Sequence, residues 1–292
     1  MGSTVSRKKG RFMRVLCLGA TGRLGGMLRR GWRSDTRLKP LWQGRRGIPA
    51  GNGIRLDILR DPGALEAACQ ASDVILCLAG VTPSPDAELS LNTEIALAVQ
   101  DAAGHRPLLL ASSAAVYGRA GGLCREDATP RPAAPYGAAK LAMERAVLAR
   151  GDTTTCLRIG NVAGADQILG RATKGEPLVL DRFPNGRTPA RSYVGPATLA
   201  RILADLCLAA GAGRALPPVL NLASPGAVEM GALLDAADHP WRPRPAPPEA
   251  IAEVRLDTAA LGRFTRLDPD AGRPERLVAE WRADRAAMEA PE

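Results

Sequence analysis

Arg14-Val15-Leu16-Cys17-Leu18-Gly19-Ala20-Thr21-Gly22-Arg23-Leu24-Gly25 is the stretch on which the fold turns. Val15 to Leu18 is a short apolar run bounded by glycine, the pattern of a strand buried on both faces. The glycines that follow permit a tight turn, close approach of a ligand to the backbone, and close packing of the next helix on the strand. The first N–H groups of that helix have no intrahelical partner, so a dinucleotide's pyrophosphate can sit on them. Gly19, Thr21, Gly22, Arg23, Leu24 and Gly25 are therefore candidate cofactor contacts.

The pattern repeats outward from this turn. Leu38 to Trp42, Ile54 to Leu56, Val74 to Leu78, Leu108 to Ala111 and Thr155 to Ile159 read as further buried strands. Helix-period stretches separate several of them, among them Leu91, Ile95 and Val99 and the Ala-rich segment from Tyr136 to Ala149. Strands alternating with helices imply an α/β fold, a Rossmann-like doubly wound parallel sheet. Residues 1–12 read as a disordered basic tail and 13–160 as the NAD(P)-binding domain carrying the catalytic residues. Residues 161–292 read as a mixed segment that completes the sheet and forms a smaller substrate-binding lobe. Within it the pattern predicts a loop around Gly175 to Pro189, a helix from Pro196 to Ala210, a strand at Val219 to Leu222 and a rigid Pro-rich connection from Pro240 to Pro248.

Composition narrows the class of function. Aromatic residues are 3% of the 292, too few for the base-stacking surfaces of single-strand binders, which argues against nucleic acid. The net charge is +9, and taking away Arg7, Lys8, Lys9 and Arg11 of the tail leaves +5, a moderately basic body; such a surface can concentrate anionic substrates such as nucleotides or phosphates, the alternative being a solvated Arg-rich surface with no partner. The six cysteines show no Cys-x-x-Cys spacing, and the two histidines, His105 and His239, are far apart, so no metal site is expected. No stretch has the apolar length of a membrane span and the N-terminus lacks a signal-peptide core, which reads as a cytoplasmic protein.

Tyr136 and Lys140, four residues apart in a chain with three tyrosines and five lysines, lie on one helical face. A phenol has a pKa near 10, and an ammonium beside it favours the phenolate, so the pair suits proton transfer. A Rossmann site for NAD usually carries an acid at the end of the second strand, whereas this chain has Gln43-Gly44-Arg45-Arg46. Arg45 and Arg46 suit a 2′-phosphate, which favours NADP without excluding NAD; the alternative is two solvated arginines.

These residues together resemble the extended short-chain dehydrogenase/reductase superfamily, specifically its NAD-dependent epimerase/dehydratase family, over residues 13 to about 225. The resemblance is carried by Gly19 to Gly25, by Asp57 and Ile58 in Leu56-Asp57-Ile58, by Leu78-Ala79-Gly80, by Asn92 and by Ser112-Ser113-Ala114-Ala115-Val116-Tyr117-Gly118, followed by Tyr136-Gly137-Ala138-Ala139-Lys140. It implies that Asp57 contacts adenine, that Leu78, Ala79, Gly80 and Asn92 lie beside the cofactor, and that Lys140 holds the nicotinamide ribose. It implies Ser113, Tyr136 and Lys140 as the catalytic set, with Ser113 orienting the oxygen whose proton Tyr136 moves. Tyr117 reads as packing. A homodimer through the helices near residues 88 to 103 and 136 to 149 is expected by analogy.

The departures matter too. Family members that dehydrate or decarboxylate nucleotide sugars place acids just after the catalytic Ser or Thr, and here Ala114 and Ala115 stand there. This disfavours both reactions and leaves epimerisation or simple oxidoreduction of a sugar hydroxyl or keto group. Asn161 resembles the family's substrate-contacting Asn, and Arg191 in Arg191-Ser192-Tyr193-Val194 the arginine that grips a nucleotide-sugar phosphate, unless it forms a structural ion pair. The acid usual shortly after that Val is absent, replaced by Gly195-Pro196-Ala197. The competing reading is a non-catalytic NAD(P)-binding sensor or scaffold, which would need none of Ser113, Tyr136 and Lys140.

Overall fold

In the computed structural model, residues 12–48, 51–119, 121–151, 153–172 and 177–289 are described; the tail expected at 1–12 lies, but for Phe12, outside them. The chain runs β1 (Met13–Leu18), α1 (Arg23–Gly31), β2 (Leu38–Gly44), β3 (Gly53–Arg55), α2 (Pro62–Gln70), β4 (Val74–Cys77), α3 (Leu91–Ala103), β5 (Leu108–Ser113), β6 (Leu123–Cys124), α4 (Pro135–Leu148) and β7 (Thr154–Ile159). It continues β8 (Asn161–Val162), β9 (Leu178–Arg182), β10 (Ala190–Arg191), β11 (Tyr193–Val194), α5 (Pro196–Gly211), β12 (Val219–Leu222), β13 (Val228–Glu229), α6 (Met230–Ala236), β14 (Trp241–Pro245), β15 (Glu253–Leu256) and α7 (Pro274–Glu289).

Seven strands form one sheet in the order β12-β7-β5-β4-β1-β2-β3, every neighbouring pair parallel. The pleat sends alternate residues to opposite faces. Val15 and Cys17 with Leu76, Leu109, Leu157 and Leu220 pack on one face beneath α1 and α5. Leu16 and Leu18 with Ile75, Cys77, Leu108 and Leu110 pack on the other beneath α2, α3 and α4. This double burial is why the strands read as unbroken apolar runs. The chain leaves β1 toward β2 and β3, then returns to β4 on the other side, so the crevice between the carboxyl ends of β1 and β4 is the switch point where such sheets bind ligands.

Beyond β7 the chain builds a second layer. A four-stranded sheet in the order β13-β10-β15-β6 and two short parallel pairs, β8 with β11 and β9 with β14, lie outside the central sheet, while β12 joins it beside β7. Two expectations are corrected here: the loop expected at Gly175 to Pro189 contains β9, and the Pro-rich connection contains β14, paired in register from Trp241↔Leu178 to Pro245↔Arg182. Pro240 O accepts from Leu178 N and Ala246 N donates to Arg182 O, so even-numbered residues of β14 face its partner. Pro243 and Pro245 are odd-numbered, and their missing N–H groups fall on the unpaired edge, the one place a strand tolerates proline. Among the described residues no helix is long and apolar enough to cross a membrane.

Candidate active site

Gly19 leaves β1 at φ +82, and a Cβ there would stand 2.6 Å from Ala79 N, so only glycine lets the two strand ends meet. A Cβ at Gly25 would overlap Gly19 O and Ala20 Cα, which lets α1 start directly on the turn. Gly22 caps α1 without any side-chain hydrogen bond, and no acid lies in the first turn. Thr21, Gly22 and Arg23 are exposed and Leu24 partly so. Uncapped N–H groups at a glycine turn, facing open space at the switch point, fit a pyrophosphate.

Gln43, quoted in the sequence but given no role there, holds this turn. Its side chain is 2% exposed, accepts from Gly19 N at 2.8 Å and donates to Leu56 O at 2.7 Å, tying β1, β2 and the chain after β3 together. The position where an acid would reach ribose is thus turned inward. Arg45 and Arg46 follow it, exposed at the carboxyl end of β2. Asp57 is half-buried, and its Oδ1 accepts from Leu59 N and Arg60 N, while Ile58 is buried beside it.

At the end of β4, Leu78, Ala79 and Gly80 line the crevice opposite Gly19. Asn92, 1% exposed, accepts from Val81 N and donates to Val81 O and Leu89 O, so its amide fixes the chain leaving β4. A Cβ at Gly80 would lie 2.7 Å from Asn92 Oδ1 and 3.2 Å from Lys140 Nζ, so these three groups converge. Lys140 is buried and donates to Ala111 O at 3.0 Å. Burial pushes its ammonium down to about 8, opposed by Cys77, Cys156 and Glu144.

Ser113 ends β5, and its Oγ accepts from Ala115 N at 3.2 Å. Gly137 lets α4 dock on this corner, since a Cβ there would press on Ala115 O. Docking sets the Tyr136 phenol beside Ser113, whose hydroxyl favours the phenolate. Burial raises the phenol above its ordinary pKa; the Ser113 hydroxyl and the Arg23 guanidinium pull it down. Lys140, one helical turn after Tyr136 on α4, reaches to Ala111 O and Gly80. Tyr117 is fully buried, donates to Asn221 Oδ1 at 2.7 Å and accepts from Arg158 Nη1 at 3.0 Å.

On the lobe side, Asn161 pairs in register with Tyr193, whose hydroxyl donates to Asp166 Oδ2 at 2.9 Å. Arg191 donates to Ala190 O at 2.7 Å and Ile251 O at 2.9 Å, and burial lowers its pKa. Among the described residues its hydrogen-bond partners are backbone carbonyls, which leaves its positive charge uncompensated by an acid. The acid missing after Val194 is supplied from elsewhere. Glu280 of α7 accepts from Thr198 N at 2.8 Å and from Thr198 Oγ1 at 2.7 Å, capping α5 where Gly195 offers no side chain.

A parallel sheet ordered in this way, with a glycine turn at its switch point, a Ser at the end of β5 and a Tyr and a Lys on the helix docked beside it, defines an extended short-chain dehydrogenase/reductase. The chain belongs to the NAD dependent epimerase/dehydratase family, whose sequence model matches residues 15–201. Among solved structures it resembles a UDP-glucose 4-epimerase from Brucella ovis in complex with NAD, at 17% identity and TM-score 0.78, covering 92% of this chain and 97% of that one. It also resembles a UDP-glucose-4-epimerase from Stenotrophomonas maltophila with bound NAD and formylated UDP-arabinopyranose, at 19% identity and TM-score 0.77, covering 96% and 100%. A third is TunA, an NAD dependent NDP-hexosamine 5,6-dehydratase, at 21% identity and TM-score 0.72, covering 95% and 100%. At these identities the likeness is one of fold. Among curated proteins no match is found. A dehydratase among the neighbours means that the exclusion of elimination chemistry drawn from Ala114 and Ala115 has no support from them. The comparisons equally give no support to a non-catalytic sensor.

Proposed function

We propose that this protein is an NAD(P)-dependent epimerase or oxidoreductase acting on a hydroxyl or keto group of a nucleotide sugar. The observation that carries the reading is the docking of α4 on the end of β5, which sets the half-buried Tyr136 phenol beside Ser113 near the Gly19 turn, with Lys140 buried one helical turn on. Tyr136 takes a proton from, or returns it to, the substrate oxygen that Ser113 holds. Gly19, Thr21, Gly22, Arg23, Leu24 and Gly25 hold the cofactor's pyrophosphate, Asp57 and Ile58 its adenine, and Lys140 with Leu78, Ala79, Gly80 and Asn92 its nicotinamide half. A bound nicotinamide would take up or give back hydride at the carbon bearing that oxygen. Arg191, a half-buried cation with carbonyl partners alone among the described residues, suits a substrate phosphate, and Asn161 across the same lobe contacts the sugar.

The reading leans to NADP on Arg45 and Arg46 and on the inward turn of Gln43. Identifying the nicotinamide released from purified protein distinguishes the two cofactors. Incubation with a panel of nucleotide sugars, followed by NMR of the sugar ring protons, reads epimers, keto products and dehydrated products separately. Conversion of at least one is expected; a protein with no nicotinamide affinity and no product would end this reading.

A further inference from the structure

Beneath the catalytic corner lies a charged cluster that none of the proposed chemistry uses. Ser112 precedes Ser113 on β5 and pairs in register with Arg158 on β7. Glu144, one helical turn after Lys140 on α4, lies over both: its Oε1 accepts from Ser112 Oγ, and its carboxylate takes Arg158 Nε at 3.1 Å and 3.2 Å and Nη2 at 2.8 Å. Arg158 Nη1 donates onward to the Tyr117 hydroxyl at 3.0 Å and Glu126 O at 3.2 Å. The ion pair is 5% and 1% exposed.

An ion pair so deep brings little net stability over apolar groups of the same shape, because both ions lose their water. What it brings here is geometry. We propose that Glu144 is the positioning residue of this site, bracing β5, α4 and β7 so that Ser113, Tyr136 and Lys140 keep one mutual arrangement. The proposal rests on the reading of those three as catalytic.

The brace also has an electrostatic side. Lys140 is faced by Cys77 from β4, Cys156 from β7 and Glu144 from its own helix, and Ala111 O on β5 accepts its hydrogen bond. Cys77 and Cys156 are themselves pushed up by burial, so they are neutral thiols near pH 7. Glu144, itself paired with Arg158, is then the carboxylate whose charge raises the pKa of Lys140 against burial.

Two measurements on the full chain decide it. With isotope-labelled lysine, NMR follows Lys140 among the five lysines, assigned by its loss in Lys140→Arg. Glu144→Gln should lower its titration midpoint by about half a pH unit or more. Ser112→Ala, which removes one hydrogen bond and keeps every charge, should broaden or split its signal. In turnover, Ser112→Ala should lower kcat about tenfold with KM within about twofold, and Ser112→Thr should restore it. A Lys140 signal in Ser112→Ala matching wild type in midpoint and linewidth overturns the proposal, as does full kcat. Wild type without turnover on any nucleotide sugar overturns the functional reading instead, and the Lys140 signal still decides the brace.

Discussion

Lys140 is the residue where burial and charge conflict most directly. Its ammonium is held at about 8 in the folded chain, against an ordinary 10.5. Between those values the unfolded chain binds a proton that the folded chain does not, so this group makes folding more favourable as pH rises from about 8 toward 10.5. Buried tyrosines and cysteines act in the opposite sense, because burial raises the pKa of each. Lys140→Met isolates the lysine: in urea unfolding, wild type should gain stability relative to the variant between pH 8 and pH 10. A constant difference across that range would show that the ammonium is not destabilised by its surroundings. The same residue shows what spacing alone leaves out. A helical i, i+4 relation places Lys140 and Tyr136 on one face, and the long lysine stem carries its ammonium from there to Ala111 O on β5, a destination that spacing does not specify.

At the scale of elements, the strand that precedes Gly19 and the helices α3, α4 and α5 were legible because burial on one or both faces leaves a periodic apolar record. The strands β6, β8, β10, β11 and β13 were not, since two residues each cannot show a period. Pro243 and Pro245 hid β14, because proline marks a break unless the pairing side is known. Gln43, Glu144 and Arg158 left no signal as a set: buried polar groups acquire meaning only from partners brought together by the sheet. Gln43 gives the clearest test of that kind. Gln43→Leu keeps the volume and leaves Gly19 N–H and Leu56 O without their side-chain partners, so it should cost about 1 to 3 kcal/mol in chemical unfolding. By loosening the turn it should also weaken nicotinamide dinucleotide binding at least about tenfold, measured by calorimetry. Unchanged affinity would mean that the glycine turn holds its shape without the clamp.

Across the whole molecule, the proposed chemistry needs Ser113 at the end of β5, Tyr136 on α4 beside it, and Asn161 and Arg191 on the outer layer to meet one substrate. The C-terminal helix α7 joins the two. Asp284 takes Arg30 of α1 at 2.8 Å and 2.7 Å, Trp281 packs on Gly164, and Glu280 caps α5. Glu280→Ala should therefore lower stability by about 1 to 2 kcal/mol and raise KM for the nucleotide sugar more than it lowers kcat. A thermal midpoint and KM both equal to wild type would separate α7 from the site. In the proposed chemistry this arrangement serves one event, proton transfer by the Tyr136 phenol in step with hydride transfer. The most direct test is Tyr136→Phe, which removes one oxygen from a half-buried ring, assayed beside wild type on whichever nucleotide sugar wild type converts. The account predicts that the variant folds, binds nicotinamide cofactor with wild-type affinity and loses at least about a hundredfold in kcat. Equal turnover by the two proteins would contradict it.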